Sequence, residues 1–200
     1  MSQILALELV YLVKFFYLAS QSPRRKEILD KLCAPYQLLN LVEGSNSNAD
    51  FDETPFKNEH PVDYVKRTAF IKANAGWKYL VDHHLEKAPV LAVDTTVAIN
   101  KKILGKPEDA THARTMLQSL SGQSHQVLTA VTMKQGDAVV HKLSTTDVCM
   151  RVLQKNEIDA YIKTGEPFGK AGSYGIQGAA SIFITHIAGS YSGVVGLPIY

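Results

Sequence analysis

Apolar residues along this chain come in short blocks whose period changes from block to block, and each change marks an element. "KFFYLAS" (14–20) is dense in aromatic and aliphatic side chains and stops at Ser20, the pattern of a buried strand. "SPRRKEILDKLCA" (22–34) predicts a helix: Ser22 suits the N-cap, Pro23 the first helical position, and Ile28, Leu29 and Leu32 form a stripe at helical spacing. "YQLLNLV" (36–42) reads as a second strand, and "EGSNSNADFDETPFKNEHP" (43–61) as a long polar loop full of turn residues. From Pro61 to about His83 a longer helix is predicted, with Val62, Val65, Ala69, Ala73 and Trp77 on one face and Lys72 beside that stripe. "APVLAVDTTVAIN" (88–100) predicts an apolar strand ending at Asp94 and a short second strand after it, followed by "KKILGKPED" (101–109) as a loop. A helix over "DATHARTMLQSLSG" (109–122), closed by Gly122, precedes an alternating stretch (124–153) that predicts a hairpin turning at "QGD" (135–137). A short helix from about Asn156, a glycine-rich loop, one apolar strand and a last loop complete the chain.

Such alternation of strands and helices predicts an α/β protein. With 200 residues and 46% apolar content, the chain is long enough to bury a real core. Its 21 basic and 19 acidic residues nearly cancel, so no global field draws it to nucleic acid or to a membrane, and any anion site must be local. Cys33 and Cys149 lack the spacing of a zinc site or a disulfide framework, which fits a reducing cytoplasm. The first 17 residues carry Glu8 and Lys14 within their apolar run and have no basic leader or small-residue cleavage site, so a strand with an added extension is expected there rather than a signal peptide.

Candidate chemistry gathers at four places: Arg24 and Arg25 at a helix start, Asp52 and Glu53 in the long loop, Asp94 at a strand end, and Lys106 in "LGKP". Cations in a first helical turn oppose the helix dipole unless an anion lies nearby. Open α/β sheets bind ligands at the carboxyl ends of their strands, where Asp94 is expected. Arginines and lysines suit phosphate oxygens, while carboxylates suit a hard divalent metal and can deprotonate an attacking water. Together with Lys72, these residues describe a phosphoanhydride hydrolase. Taken singly, adjacent arginines are more often a solvated helix face, loop acids are ordinary surface residues, and Lys106 is as readily a plain loop residue. The histidines lack metal-ligand spacing, and neither GxSxG nor a Walker loop is present.

"LASQSPRR", "DET" followed by "YVKR" and "IKA", "AVDT", "LGKP", "LSGQSHQVLTAV" and "KAGSYGIQG" occur in an order and at spacings by which the chain resembles the Maf family of nucleoside triphosphate pyrophosphatases over about nine-tenths of its length. That resemblance implies a mixed twisted sheet with flanking helices and two lobes around a central cleft, a Maf/inosine triphosphatase-like α/β fold. It implies residues 1–16 as an atypical N-terminal extension and 17–200 as a single catalytic domain. It also implies hydrolysis of a nucleoside triphosphate to the monophosphate and pyrophosphate with Mg²⁺ or Mn²⁺. Carried over residue by residue, Asp94 matches the catalytic acid, and Glu53 with Asp94 the metal-associated acids. Ser22, Arg25, Lys72 and Lys106 match the phosphate-handling positions. The long loop offers Glu43 as an alternative to Glu53; the distance to Tyr64 and Val65 favours Glu53.

Arg24, Thr95 and Gln177 resemble the branch of the family acting on dTTP and UTP, where a sister branch acting on 7-methyl-GTP shows tryptophan, glutamine and glutamate. A side-chain amide can both donate to and accept from a pyrimidine edge. The expected partner is a nucleoside triphosphate substrate, with neither nucleic acid nor membrane, in the cytoplasm, and the family resemblance alone implies a possible homodimer. Two alternatives stay open: the 7-methyl-GTP branch, and a nucleotide-binding regulator of cell division or septum formation without significant turnover.

Overall fold

The computed structural model describes residues 14–39, 41 and 52–200. Residues 1–13 of the expected extension, Glu43 and the loop from Val42 to Asp50 lie outside the described residues. Among the described residues seven strands occur in chain order: β1 (Phe16–Leu18), β2 (Tyr36–Leu38), β3 (Val90–Ile99), β4 (Lys102–Leu104), β5 (Ser124–Gln135), β6 (Ala138–Met150) and β7 (Ile184–Ala188). Five α-helices accompany them among the described residues: α1 (Pro23–Lys31), α2 (Pro61–Asp82), α3 (Ala110–Leu120), α4 (Lys155–Lys163) and α5 (Tyr191–Val195). The strands are hydrogen-bonded in the order β2-β1-β3-β5-β6-β7, with β4 paired to β3. β1 runs parallel to both β2 and β3, whereas β4 pairs antiparallel with β3 and β7 with β6, so the sheet is mixed as expected.

The chain forms two compact units: residues 1–54, 67–93 and 131–142, and residues 55–66, 94–130 and 143–200. In the first, Phe15, Tyr17, Leu39, Ala73, Leu80 and Val90 belong to one buried cluster. α2 supplies to this unit a stripe of Ala69, Ala73, Gly76 and Leu80, all buried, at the three- and four-residue spacing of one helix face. Gly76 is required there, because a Cβ would lie 2.7 Å from Val90 Cγ1 and 3.3 Å from both Ala19 and Leu39. α1 is held more lightly than the sequence predicts: Leu29 is buried, but Leu32 is 51% exposed, so the expected three-residue stripe contracts to one anchor.

In the second unit the core joins Val97 and Ile99 of β3 to Leu117 and Leu120 of α3, Val127 of β5, Val148 of β6, and Ile158 and Tyr161 of α4. Asp109 caps α3, its Oδ1 accepting the His112 N–H at 2.7 Å. At the start of α4, Glu157 Oε2 accepts the Gln154 N–H at 2.8 Å, and Arg151 grips the same carboxylate at 2.7 and 3.0 Å. That fork holds the Glu157 carboxyl well below its usual range, at about 2. The "QGD" turn is present, with Gly136 at φ +60°, a value glycine adopts without strain.

Three expectations are corrected. β3 does not stop at Asp94 but continues to Ile99 as one ten-residue strand, so Asp94 is an interior strand residue and not a strand end. Thr95 and Thr96 keep the β preference through the polar stretch. Part of the expected 101–109 loop is β4, and part of the expected final loop is α5.

Candidate active site

In the first unit, α1 opens without a side-chain cap. Ser22 has extended backbone but makes no side-chain cap bond, and no acidic residue lies in the first turn. Arg24 and Arg25 therefore occupy the positive end of the helix, as the sequence predicts. Ser20, which sequence reasoning passed over, aims one of them: its Oγ accepts Arg25 Nη1 at 2.8 Å and the Ser22 N–H at 3.3 Å.

Glu53 is placed by α2. Lys72 Nζ lies 3.0 Å from Glu53 Oε1, and both side chains are largely shielded. Arg67 donates to the carbonyls on either side of Glu53, Nη1 to Asp52 at 3.3 Å and Nη2 to Thr54 at 3.0 Å. Asp52 Oδ1 accepts the Thr54 N–H at 2.8 Å, closing a small turn, and Thr54 with Arg67 keeps the Asp52 carboxyl below the usual carboxylate range. Glu53 and Lys72 are thus brought together in one ion pair. Arg67 is the residue the prediction missed; its place in "YVKR", five residues before Lys72, was the available signal.

The second unit carries Asp94, Thr95, Lys106 and Gln177. Asp94 is 7% exposed, a carboxylate on an interior strand. Alternation along β3 sends the neighbouring Thr95 to the opposite face. Thr95 Oγ1 lies 3.0 Å from Thr129 Oγ1, which donates to the Gly193 carbonyl at 2.8 Å. Because the one Thr129 proton is committed to Gly193, Thr95 is the donor of that pair. Lys106 is exposed, and the preceding Gly105 carbonyl accepts the Gly172 N–H at 3.1 Å. That bond pins "LGKP" to the loop that leads to Gln177, itself exposed between the buried Ile176 and the 3-10 turn Ala179–Phe183. A separate pocket of about 270 Å³ in this unit, lined in part by His60, Asn100, Lys101, Gln126 and Asp147, includes none of the predicted residues.

Among the described residues no three His, Cys, Asp or Glu side chains converge as a metal cluster. Mg²⁺ or Mn²⁺ needs only one or two carboxylates when substrate phosphates and water complete its shell. Glu53 and Asp94 are oxygen donors of that kind, and the burial of Asp94 is costly unless its charge is used or paired. No helix among the described residues is long and apolar enough to cross a membrane.

The family model for Maf-like proteins matches residues 15–200. The chain belongs to the Maf family. Curated relatives of this Maf chain include a protein of Nitrosomonas europaea named dTTP/UTP pyrophosphatase, 50% identical over 92% of this chain and 89% of the relative. Proteins of the same name from Chromobacterium violaceum and Pseudoalteromonas atlantica are 47% and 50% identical, each over 92% of this chain and 89% and 91% of the relative. Among solved structures the Staphylococcus aureus Ham1 protein is similar over 68% of this chain and 72% of its own, at a TM-score of 0.48 and 16% identity, too weak a likeness to carry the fold.

Proposed function

We propose that this Maf chain is a dTTP/UTP pyrophosphatase, hydrolysing the nucleoside triphosphate to the monophosphate and pyrophosphate. The observation that carries the reading is near-full-length identity of 43–50% to relatives bearing that name.

In this reading Asp94 takes a proton from a water molecule, whose oxygen bonds to the α-phosphorus. The bond from that phosphorus to the bridging oxygen breaks, and pyrophosphate leaves with the electron pair. Ser22, Arg25, Lys72 and Lys106 bind phosphate oxygens and offset the charge that grows on the leaving group, the kind of electrostatic stabilisation on which phosphoryl chemistry depends. Ser20 preorients the Arg25 guanidinium for that role, and the Arg67 bracket holds Glu53 in register with Lys72. Mg²⁺ or Mn²⁺, held by Asp94 and Glu53 with the substrate's phosphates, would neutralise phosphate charge. Arg24, Thr95 and Gln177 select the base, the Gln177 amide matching the adjacent donor and acceptor of uracil or thymine.

Residues 17–200 act as one catalytic domain in this account, and a homodimer is the assembly to test for. The free thiols of Cys33 and Cys149 suit a reducing cytoplasm. A panel of dTTP, UTP, CTP and 7-methyl-GTP, followed by pyrophosphate release with either metal, tests the assignment. Turnover of dTTP and UTP is expected. Turnover of 7-methyl-GTP alone would move the chain to the sister branch, and tight binding without turnover of any of them would make it a nucleotide-binding regulator.

A further inference from the structure

Gln177 is exposed, yet the loop that presents it is anchored on both sides. Before it, the Tyr174 hydroxyl lies 2.7 Å from Nε2 of His125, and the two residues are 6% and 2% exposed. After it, the Ala179 N–H donates to Glu166 Oε2 at 2.9 Å, while Glu166 Oε1 accepts the Tyr161 hydroxyl at 2.9 Å. Tyr161 belongs to α4 and packs edge-on against Phe183 at 5.4 Å, so the far end of this brace is fixed in the core.

The backbone is cut to receive that carboxylate. A Cβ at Gly178 would lie 2.3–2.4 Å from the Glu166 carboxyl atoms, so the carboxylate would have to leave the position in which it makes both bonds. The backbone of Glu166 is held too: its N–H donates to Thr164 Oγ1 at 3.1 Å, and its carbonyl accepts Lys170 Nζ. Gly175 leaves room for the Lys170 stem, since a Cβ there would meet it at 2.9 Å. A solvated surface acid needs none of these accommodations.

We infer that Glu166 is a positioning residue for base selection: it ties α4 to the two residues that follow Gln177 and thereby sets where the Gln177 amide meets the base. The inference rests on the reading of Gln177 as a base-selective residue. Hydrogen-bond readout is steep in geometry, so a loop displaced by about 1 Å forfeits much of the discrimination while leaving the phosphate-handling residues in place.

The test compares kcat/KM for UTP with that for 7-methyl-GTP in Gln177→Ala, Glu166→Ala, Gly178→Ala, Glu166→Gln and the double variant Glu166→Ala/Gln177→Ala. Gln177→Ala is expected to lower the UTP preference about tenfold, the scale of one lost hydrogen bond. Glu166→Ala and Gly178→Ala are expected to lower it comparably, mainly through KM for UTP. The double variant should lose no more than Gln177→Ala alone. Glu166→Gln should retain the preference, because its amide can accept from Ala179 and donate to the Tyr161 oxygen. Should Glu166→Ala fail to fold, Gly178→Ala reports on the same contact. A preference lowered by Gln177→Ala but untouched in Glu166→Ala and Gly178→Ala would overturn this inference alone. Equal loss of kcat for both nucleotides in those variants would overturn it as well, by assigning Glu166 a merely structural part. An unchanged preference in Gln177→Ala would overturn the reading of Gln177 and this inference with it.

Discussion

Glu53 and Lys72 form an ion pair at 3.0 Å in which both side chains are largely withdrawn from water, the lysine more than the carboxylate. Partial shielding places such a pair near the upper end of what surface pairs contribute, about 1 kcal/mol. Lys72→Met should lower thermal stability by only a few degrees while reducing kcat/KM at least tenfold, because it would remove the proposed phosphate ligand as well as the partner of Glu53. A double-mutant cycle with Glu53→Gln, read by urea unfolding, should return a coupling energy clearly above zero.

The relay from Thr95 through Thr129 to the Gly193 carbonyl is buried at its centre, Thr129 being 1% exposed. Thr129→Val keeps the shape and deletes the hydroxyl, so the Thr95 proton and the Gly193 carbonyl both lose a partner. The expected cost is about 1–3 kcal/mol in urea unfolding, with a shift in base preference if Thr95 takes part in selection.

Gly76 leaves room on α2 for the side chains of Val90, Ala19 and Leu39. Gly76→Ala is favourable for an isolated helix, but here the methyl group would enter the space of Val90, Ala19 and Leu39. Overpacking should win over propensity, for a net loss of about 1–3 kcal/mol, measurable as a lowered melting temperature.

Burial lowers the pKa of His125 from the usual 6.5 to about 4, against a smaller opposing pull from Asp147. The unfolded chain binds a proton at this site more readily than the folded one does. Its contribution to stability is therefore complete above about pH 6.5 and is lost as pH falls toward 4, by up to about 3 kcal/mol. Urea midpoints followed from pH 7 to 4 should fall less steeply in His125→Gln, whose amide keeps a bond to Tyr174. Glu157, depressed to about 2, adds a loss that starts lower, as pH drops through 4.5.

Much of this architecture was legible in the chain because local chemistry and burial agreed. Ser22 and Pro23 announced α1, the stripe of Val65, Ala69 and Ala73 announced α2, and "QGD" announced the hairpin. Asp94 was misplaced at a strand end for a physical reason: a carboxylate after four apolar residues normally marks the return to solvent, whereas here it stays inside a strand that continues through two threonines. Glu53 and Lys72 were recognised by type, but the bracket by Arg67 was invisible, since it depends on donors reaching main-chain carbonyls. Glu166 and Tyr174 were missed because each looks ordinary in sequence. The core-facing place of His125 could have been read from its alternation with Val127 in "SHQVLTAV".

The central claim is that Asp94 activates water for attack on the α-phosphorus of a pyrimidine nucleoside triphosphate. Its most direct test is pyrophosphate release from dTTP and UTP with Mg²⁺ or Mn²⁺ by the wild-type chain and by Asp94→Asn, with circular dichroism confirming that the variant is folded. The account predicts release by the wild type and a loss in kcat of about 10²–10⁴-fold in the folded variant, the range for removing a general base. Equal turnover by Asp94→Asn would contradict it.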